Sequence, residues 1–109
     1  LNERCLLLGR KERAIDYFQY FDFYVMPSRS EAFGLCVLEA ASQGVPIVCN
    51  NLPIYHELFN DREVVYFETD NPQTLIFALD KAFKNKATYR SNLLASYEKN
   101  YSCRFVFNM

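Results

Sequence analysis

Two acidic residues, Glu31 and Glu39, bracket a segment whose other members are all apolar or glycine: Glu31-Ala-Phe-Gly-Leu-Cys-Val-Leu-Glu39. Glu39 is the only charged residue in positions 32–41. An ionised carboxylate in such surroundings is costly unless a partner satisfies it. A carboxylate presents two acceptor oxygens, which suits the paired hydroxyls of a sugar or a ribose. If the whole segment were helical, it would span about two turns, with the two side chains roughly 80° apart. Staggered in that way, they would not easily grip one small ligand. Gly34 changes the geometry, because glycine is a poor interior helix residue and an acceptable N-cap. With Gly34 as the cap, Glu31 lies in the preceding loop and Glu39 in the second turn. The N–H groups of Leu35, Cys36 and Val37 then have no intrahelical acceptors. Together with the helix dipole they make an anion site. A pyrophosphate bound there, with an acid on either side to accept hydroxyl hydrogen bonds, is the chemistry this spacing allows.

Plainer readings stand beside that one. Ser28-x-x-Glu31 fits a capping box, in which Glu31 caps a helix that begins earlier. Gly34 would then fall inside the first turns, which counts against it. Glu39 fits equally well a partly exposed acid stabilised by the helix N-terminus. His56 reads as an ordinary surface or half-buried histidine, since its nearest acid in sequence is Glu57 and no motif places a nucleophile. The aromatic cluster Tyr17, Phe18, Tyr20, Phe21 and Phe23 reads as core and interface.

The elements that must position these acids alternate in type. A short apolar run at 5–8, closed by Gly9, suits a buried strand. Ala14, Ile15, Phe18 and Phe21 fall on a helical stripe. Residues 23–26 form a second unbroken apolar run, stopped by Pro27. Runs without alternation point to strands buried on both faces, as in parallel sheets. The spacing predicts a helix over 35–43, with Gly44 in the position of a C-terminal glycine cap and Pro46 beyond it. Residues 47–49 form a third strand, Pro53 starts a short helix through Phe59, and residues 64–67 form a fourth strand. Asp70 or Asn71 caps a helix with Pro72 in its first turn, and Leu75, Leu79, Ala82 and Phe83 give it a buried stripe. A last helix covers 87–100, with Tyr89, Leu93 and Tyr97 on one side. The tail at 102–109 carries Phe105, Val106 and Phe107, too apolar for a free terminus. Strand and helix alternating without repeats or linkers predict one parallel α/β domain over 1–109.

Composition narrows the function classes. The 109 residues are half hydrophobic, 17% aromatic and carry a net charge of −1, so a real core is expected and a nucleic-acid partner is not. The four cysteines, at 5, 36, 49 and 103, form no CxxC pair, and there is one histidine. They read as reduced, mostly buried thiols, with no metal site expected. No apolar stretch approaches the roughly 20 residues that span a bilayer, and no signal peptide is expected. The chain starts at Leu1 rather than Met, which fits a piece of a longer protein.

The stretch Asp22-Phe-Tyr-Val-Met-Pro-Ser-Arg-Ser-Glu-Ala-Phe-Gly-Leu-Cys-Val-Leu-Glu-Ala-Ala-Ser-Gln-Gly-Val-Pro-Ile-Val-Cys49 resembles the C-terminal domain of retaining glycosyltransferases of the GT-B fold. The family is the large group 1, or family 4, set that uses nucleotide-sugars. Its E-x7-E pattern, the Pro-Ser before it, the Glu-Ala and Gly-x-Pro-x-Val after it, and the helix at 71–83 carry the likeness over nearly the whole chain. The resemblance implies a Rossmann-like parallel sheet and a nucleoside-diphosphate sugar as donor. It implies that Glu39 holds the donor's ribose hydroxyls. Glu31 would be the catalytic-site acid near the transferred sugar. Phe33, Gly34, Leu35 and Cys36 would form the turn whose backbone meets sugar and diphosphate, with residues 8–10 towards the base. It implies no cofactor and no metal for the diphosphate, whose charge basic residues and helix N-termini meet instead. The acceptor, a glycan or a lipid-linked glycan, would be bound by an N-terminal domain that this chain lacks. The location implied is cytoplasmic, or peripheral at the inner face of the membrane. The family's basic pair that clamps the diphosphate would lie upstream, and the glycine usual before the fourth strand is replaced by Arg62-Glu63-Val64.

Two other classes remain open on the residues alone: a non-catalytic α/β module that binds a nucleotide or a partner protein, and a sugar-nucleotide epimerase of similar architecture. If the run at 5–8 is the family's third strand, the first two precede Leu1 and the strand at 23–26 has a bare edge. The isolated chain is then expected to be inactive in transfer and to self-associate.

Overall fold

The computed structural model describes residues 14–30 and 34–101. The expected strand at 5–8 and the tail at 102–109 lie outside them. A 3-10 helix, Ala14–Tyr20, leads to strand β1, Tyr24–Met26. There follow helix α1 (Leu35–Ser42), strand β2 (Ile47–Asn50), helix α2 (Pro53–Leu58) and strand β3 (Val64–Phe67). Helices α3 (Pro72–Lys84) and α4 (Lys86–Asn100) complete the order. The strands form a parallel sheet in sequential order, β1-β2-β3. Val48 of β2 pairs with Val25 on one side and Val65 on the other. With helices on both faces, this is a Rossmann-like α/β arrangement.

Alternation along the strands divides the core in two. Ile47, Cys49 and Val64 face a cluster made with Val37, Ala40 and Ala41 of α1, Tyr55 of α2 and Leu93 of α4. Val48, Val65 and Phe67 face Ala78 and Ala82 of α3 and Tyr89 of α4. Every residue of β2 is buried, as expected of a central parallel strand. α1 ends in a Schellman motif. Gly44, at φ 70°, donates to the Ala41 carbonyl at 3.0 Å, and Val45 donates to that of Ala40 at 3.1 Å. This is the cap the sequence predicts. α2 starts with Pro53 at its first position, and α3 has Asn71 as N-cap and Pro72 behind it.

Four expectations need correcting. β1 is not buried on both faces: Val25 is exposed while Tyr24 and Met26 are half-buried. Among the described residues it has one strand neighbour, β2, and α3 packs mainly on β3 and β2. The stripe at 14–21 winds as a 3-10 helix, in which Phe18 enters the core and Phe21 stays exposed against it, ring centroids 5.3 Å apart. Phe83 is exposed, because the buried line of α3 runs Leu75, Ala78, Leu79, Ala82 and position 83 falls one step past it. Its ring instead meets the Lys86 ammonium, 4.7 Å from the centroid. Cys36 is an exposed free thiol, whereas Cys49 is buried as expected. Among the described residues, no helix is long and apolar enough to cross a membrane.

Candidate functional site at the carboxyl ends of the strands

Gly34 is the N-cap of α1, at φ 68° and ψ 32°. That left-handed conformation is one that glycine adopts at no steric cost. Its carbonyl accepts the Leu38 N–H at 3.1 Å, and no side chain caps the helix start. The N–H groups of Leu35, Cys36 and Val37 are therefore left without intrahelical acceptors. A Cβ at position 34 would lie 2.6 Å from Leu58 Cδ1 and 3.8 Å from Tyr55 Cε1. α2 thus packs directly onto the turn. Residues 28–30 are not helical, and the Ser28 hydroxyl donates to the Met26 sulfur at 3.2 Å, so the capping-box reading of Ser28 is set aside.

Glu39 is exposed one turn into α1, while Val37, Ala40 and Ala41 on the same helix are buried against the sheet. The burial cost expected from its apolar neighbours in sequence is not incurred, since those neighbours turn inwards and the carboxylate turns to water. The Tyr24 phenol lies beside this face, near the Cys36 thiol and the Glu39 carboxylate. Burial first, then Cys36, the Glu39 carboxylate and Tyr55, push its pKa up to about 12. The structure brings Gly34, Cys36 and Glu39 together on the first turns of α1, with the Leu35 backbone between them. Glu31, Phe33 and the 8–10 segment lie outside the described residues.

A second group of polar residues joins the carboxyl ends of all three strands. Asn50, the last residue of β2, donates from Nδ2 to the Ser28 carbonyl at 2.9 Å and accepts the Thr69 N–H on Oδ1 at 3.0 Å. The Thr69 hydroxyl donates to the Pro27 carbonyl at 3.0 Å, and Arg29 pairs with Asp70. Asn51 donates from Nδ2 to Glu68 Oε2 at 2.8 Å. A carboxylate only accepts, so Asn51 Oδ1 is the atom facing His56 Nε2, which must carry the proton in that contact. The His56 ring stacks on Tyr66 with centroids 4.1 Å apart and planes 21° apart. These neighbours fit the ordinary-histidine reading of His56. The sequence reading passed over Asn50, Asn51, Glu68 and Thr69. The signal for the first two was present: an asparagine pair directly after an apolar strand run, at the end of a parallel strand where α/β sheets bind ligands. A hollow of about 460 Å³, lined by His56, Glu57, Asn60, Glu63, Ser96 and Tyr101 among others, opens elsewhere, between α2 and the end of α4, and neither Gly34 nor Glu39 lines it.

The family model described as "Glycosyl transferases group 1" matches residues 1–100 of the chain. The O-antigen biosynthesis glycosyltransferase WclY of Escherichia coli is 34% identical over 102 residues, 94% of this chain and 29% of that protein. The lipopolysaccharide core biosynthesis mannosyltransferase LpsB of Rhizobium meliloti (strain 1021) is 38% identical over 58 residues, 53% of this chain and 16% of that protein. The O-antigen chain mannosyltransferase B of Escherichia coli is 48% identical over 42 residues, 38% of this chain and 11% of that protein. The chain thus spans 29% of the length of the first of these relatives.

Proposed function

This chain belongs to the group 1 glycosyl transferases, and from that premise we propose that it forms the distal part of the C-terminal, donor-binding domain of a retaining GT-B enzyme. The whole protein transfers a sugar from a nucleoside diphosphate to a glycan or lipid-linked acceptor. The observation that carries this reading is the turn itself: a left-handed glycine cap, a helix start with no side-chain cap, and an exposed carboxylate one turn on. In this reading the diphosphate lies against the N–H groups of Leu35, Cys36 and Val37, where the helix dipole favours negative charge. Phe33 and Gly34 contribute backbone to the same turn. Glu39 accepts from the ribose hydroxyls, and Glu31 sits by the transferred sugar. The donor is a substrate, and no resident cofactor or metal enters the scheme. The relatives named for O-antigen and lipopolysaccharide core biosynthesis support a bacterial surface glycan as the product class. A cytoplasmic protein resting on the inner face of the membrane fits a lipid-linked acceptor.

Two substitutions in the whole protein test the assignment. Glu39→Ala removes charge-assisted hydrogen bonds to a diol and should weaken UDP- or GDP-hexose binding by about 1.5–3 kcal/mol, measured by calorimetry. Glu31→Gln should lower turnover far more than it lowers donor affinity. Unchanged donor affinity in the first variant contradicts the ribose role. Unchanged turnover in the second contradicts the role of Glu31.

A further inference from the structure

Asn50 is one of two polar side chains buried among the described residues. A buried amide is costly unless both its ends are satisfied, and here both are. The β1–β2 ladder ends at the Met26–Cys49 pair. Beyond that point the Asn50 side chain takes over, reaching the Ser28 carbonyl on one side and the Thr69 N–H on the other. The strands β1 and β3 are not neighbours in the sheet, yet the loops that leave them are tied together across the end of β2. Thr69 adds a second tie through its hydroxyl to the Pro27 carbonyl, and the Arg29–Asp70 pair closes the outer rim. Fixing the carbonyl of Ser28 serves no ladder bond, since residue 28 is past the strand. What it does fix is the stretch of backbone that runs directly into Glu31.

We infer that Asn50 is a positioning residue for the reaction: its amide, supported by the Thr69 hydroxyl, fixes the 27–30 loop, the segment that leads in sequence to Glu31. The inference rests on the role given to Glu31 above. Catalytic groups are sensitive to small displacements, and a misplacement of about 1 Å can cost on the order of a hundredfold in rate. The groups proposed to hold the donor's diphosphate and ribose lie on α1, which is held by its own packing on α2 at Gly34 and on the core through Val37, Ala40 and Ala41. Loss of the clasp should therefore appear in turnover and leave donor affinity nearly intact.

The test uses the whole protein with Asn50→Asp, which keeps an acceptor for the Thr69 N–H but puts an oxygen against the Ser28 carbonyl. Thr69→Val removes only the hydroxyl tie and preserves shape. Donor turnover is followed as nucleoside diphosphate released from a UDP- or GDP-hexose, and folding by far-UV circular dichroism and urea midpoint. The expected result is a fall in kcat of about 10- to 100-fold for Asn50→Asp and a smaller one for Thr69→Val, with donor KM within about threefold of the native value. If Asn50→Asp fails to fold, the Thr69→Val split between kcat and KM decides the matter. A native kcat in the folded variants, or kcat and donor affinity falling together, overturns the inference. Glu31→Gln is measured alongside. If it turns over normally, the role of Glu31 fails and takes this inference with it. If it is slow while the clasp variants are not, the clasp alone fails.

Discussion

Gly34 and Gly44 sit at opposite ends of α1 with nearly the same backbone, φ 68° and 70°, and comparing them separates the site role proposed for Gly34 from a folding role. An alanine at either position meets the left-handed penalty of roughly 1–2 kcal/mol, partly offset by the lower entropy of the unfolded chain. At position 34 the new Cβ would meet the Leu58 methyl at 2.6 Å, the far end of a side chain that can turn away. At position 44 it would meet Leu94 Cγ at 2.9 Å and an Arg90 guanidinium nitrogen at 3.0 Å. The branch point of Leu94 cannot swing aside without its whole side chain, and Arg90 is already bonded to the Gln43 and Gly44 carbonyls. Both variants should lose on the order of 1–3 kcal/mol in urea unfolding, with Gly44→Ala the more destabilised. Only Gly34→Ala should also lose nucleotide affinity, because it displaces the turn beside the proposed anion site. Equal nucleotide affinity in the two folded variants would remove Gly34 from the site.

The helices show why some elements were legible in the sequence and others were not. α1 carries both its start and stop signals, Gly34 and Gly44, and α2 and α3 carry start signals, Pro53 and Asn71 with Pro72. For α3 the cap is explicit, with Asn71 Oδ1 accepting the Gln73 N–H at 3.2 Å. Asn71→Ala should cost about 1 kcal/mol, as cap removals do, and leave donor binding alone. A thermal midpoint matching that of the native chain would show that Pro72 and the Thr74 hydroxyl bonds hold the helix start without it. Phe83 was misread because hydrophobicity alone does not tell a residue on the buried line from one a step past it. The exposure of Val25 was invisible for another reason, since an apolar run does not say how many strands and helices will cover it. The Asn50 clasp was harder still. Its partners lie 22 and 19 residues away in sequence, so no local spacing records it. The Gly34 cap of α1 could be read from local spacing, and the three-loop junction could not.

At the scale of the whole molecule, the described part of the sheet is unevenly protected. Among the described residues the outer edge of β1 is unpaired, and Val25, Tyr17, Tyr20 and Phe21 are exposed at that end of the sheet. A strand edge left unpaired beside exposed aromatic residues favours pairing with another chain, the outcome expected where the run at 5–8 has no native neighbour of its own. The isolated 109-residue chain should therefore sediment as a concentration-dependent mixture, and a single monomeric species at high concentration would contradict this. The interior makes a different demand, and pH reveals it. The Cys49 thiol lies wholly buried in β2, and burial pushes its pKa from 9.0 up to about 12. The Tyr24 phenol goes from 10.0 up to about 12, and burial, followed by the charges of Cys49, Asp61 and Glu63, drives the Tyr66 phenol higher. All three groups are neutral when protonated, so the fold holds them neutral. The unfolded chain releases these protons near pH 9–10, and the native chain keeps them to about 12. Across that window the native state binds more protons, so stability is fully present below pH 9 and is lost as pH rises towards 12. A single wholly buried group sets a limiting slope of about 1.4 kcal/mol per pH unit, which Cys49 can approach and the half-exposed tyrosines cannot. Thermal midpoints should thus hold steady to about pH 8.5 and then fall. In Cys49→Ala the midpoint should start lower, from the void left in the core, but decline less steeply above pH 9. Parallel declines in the native and Cys49→Ala proteins would show that the alkaline limb belongs to the tyrosines.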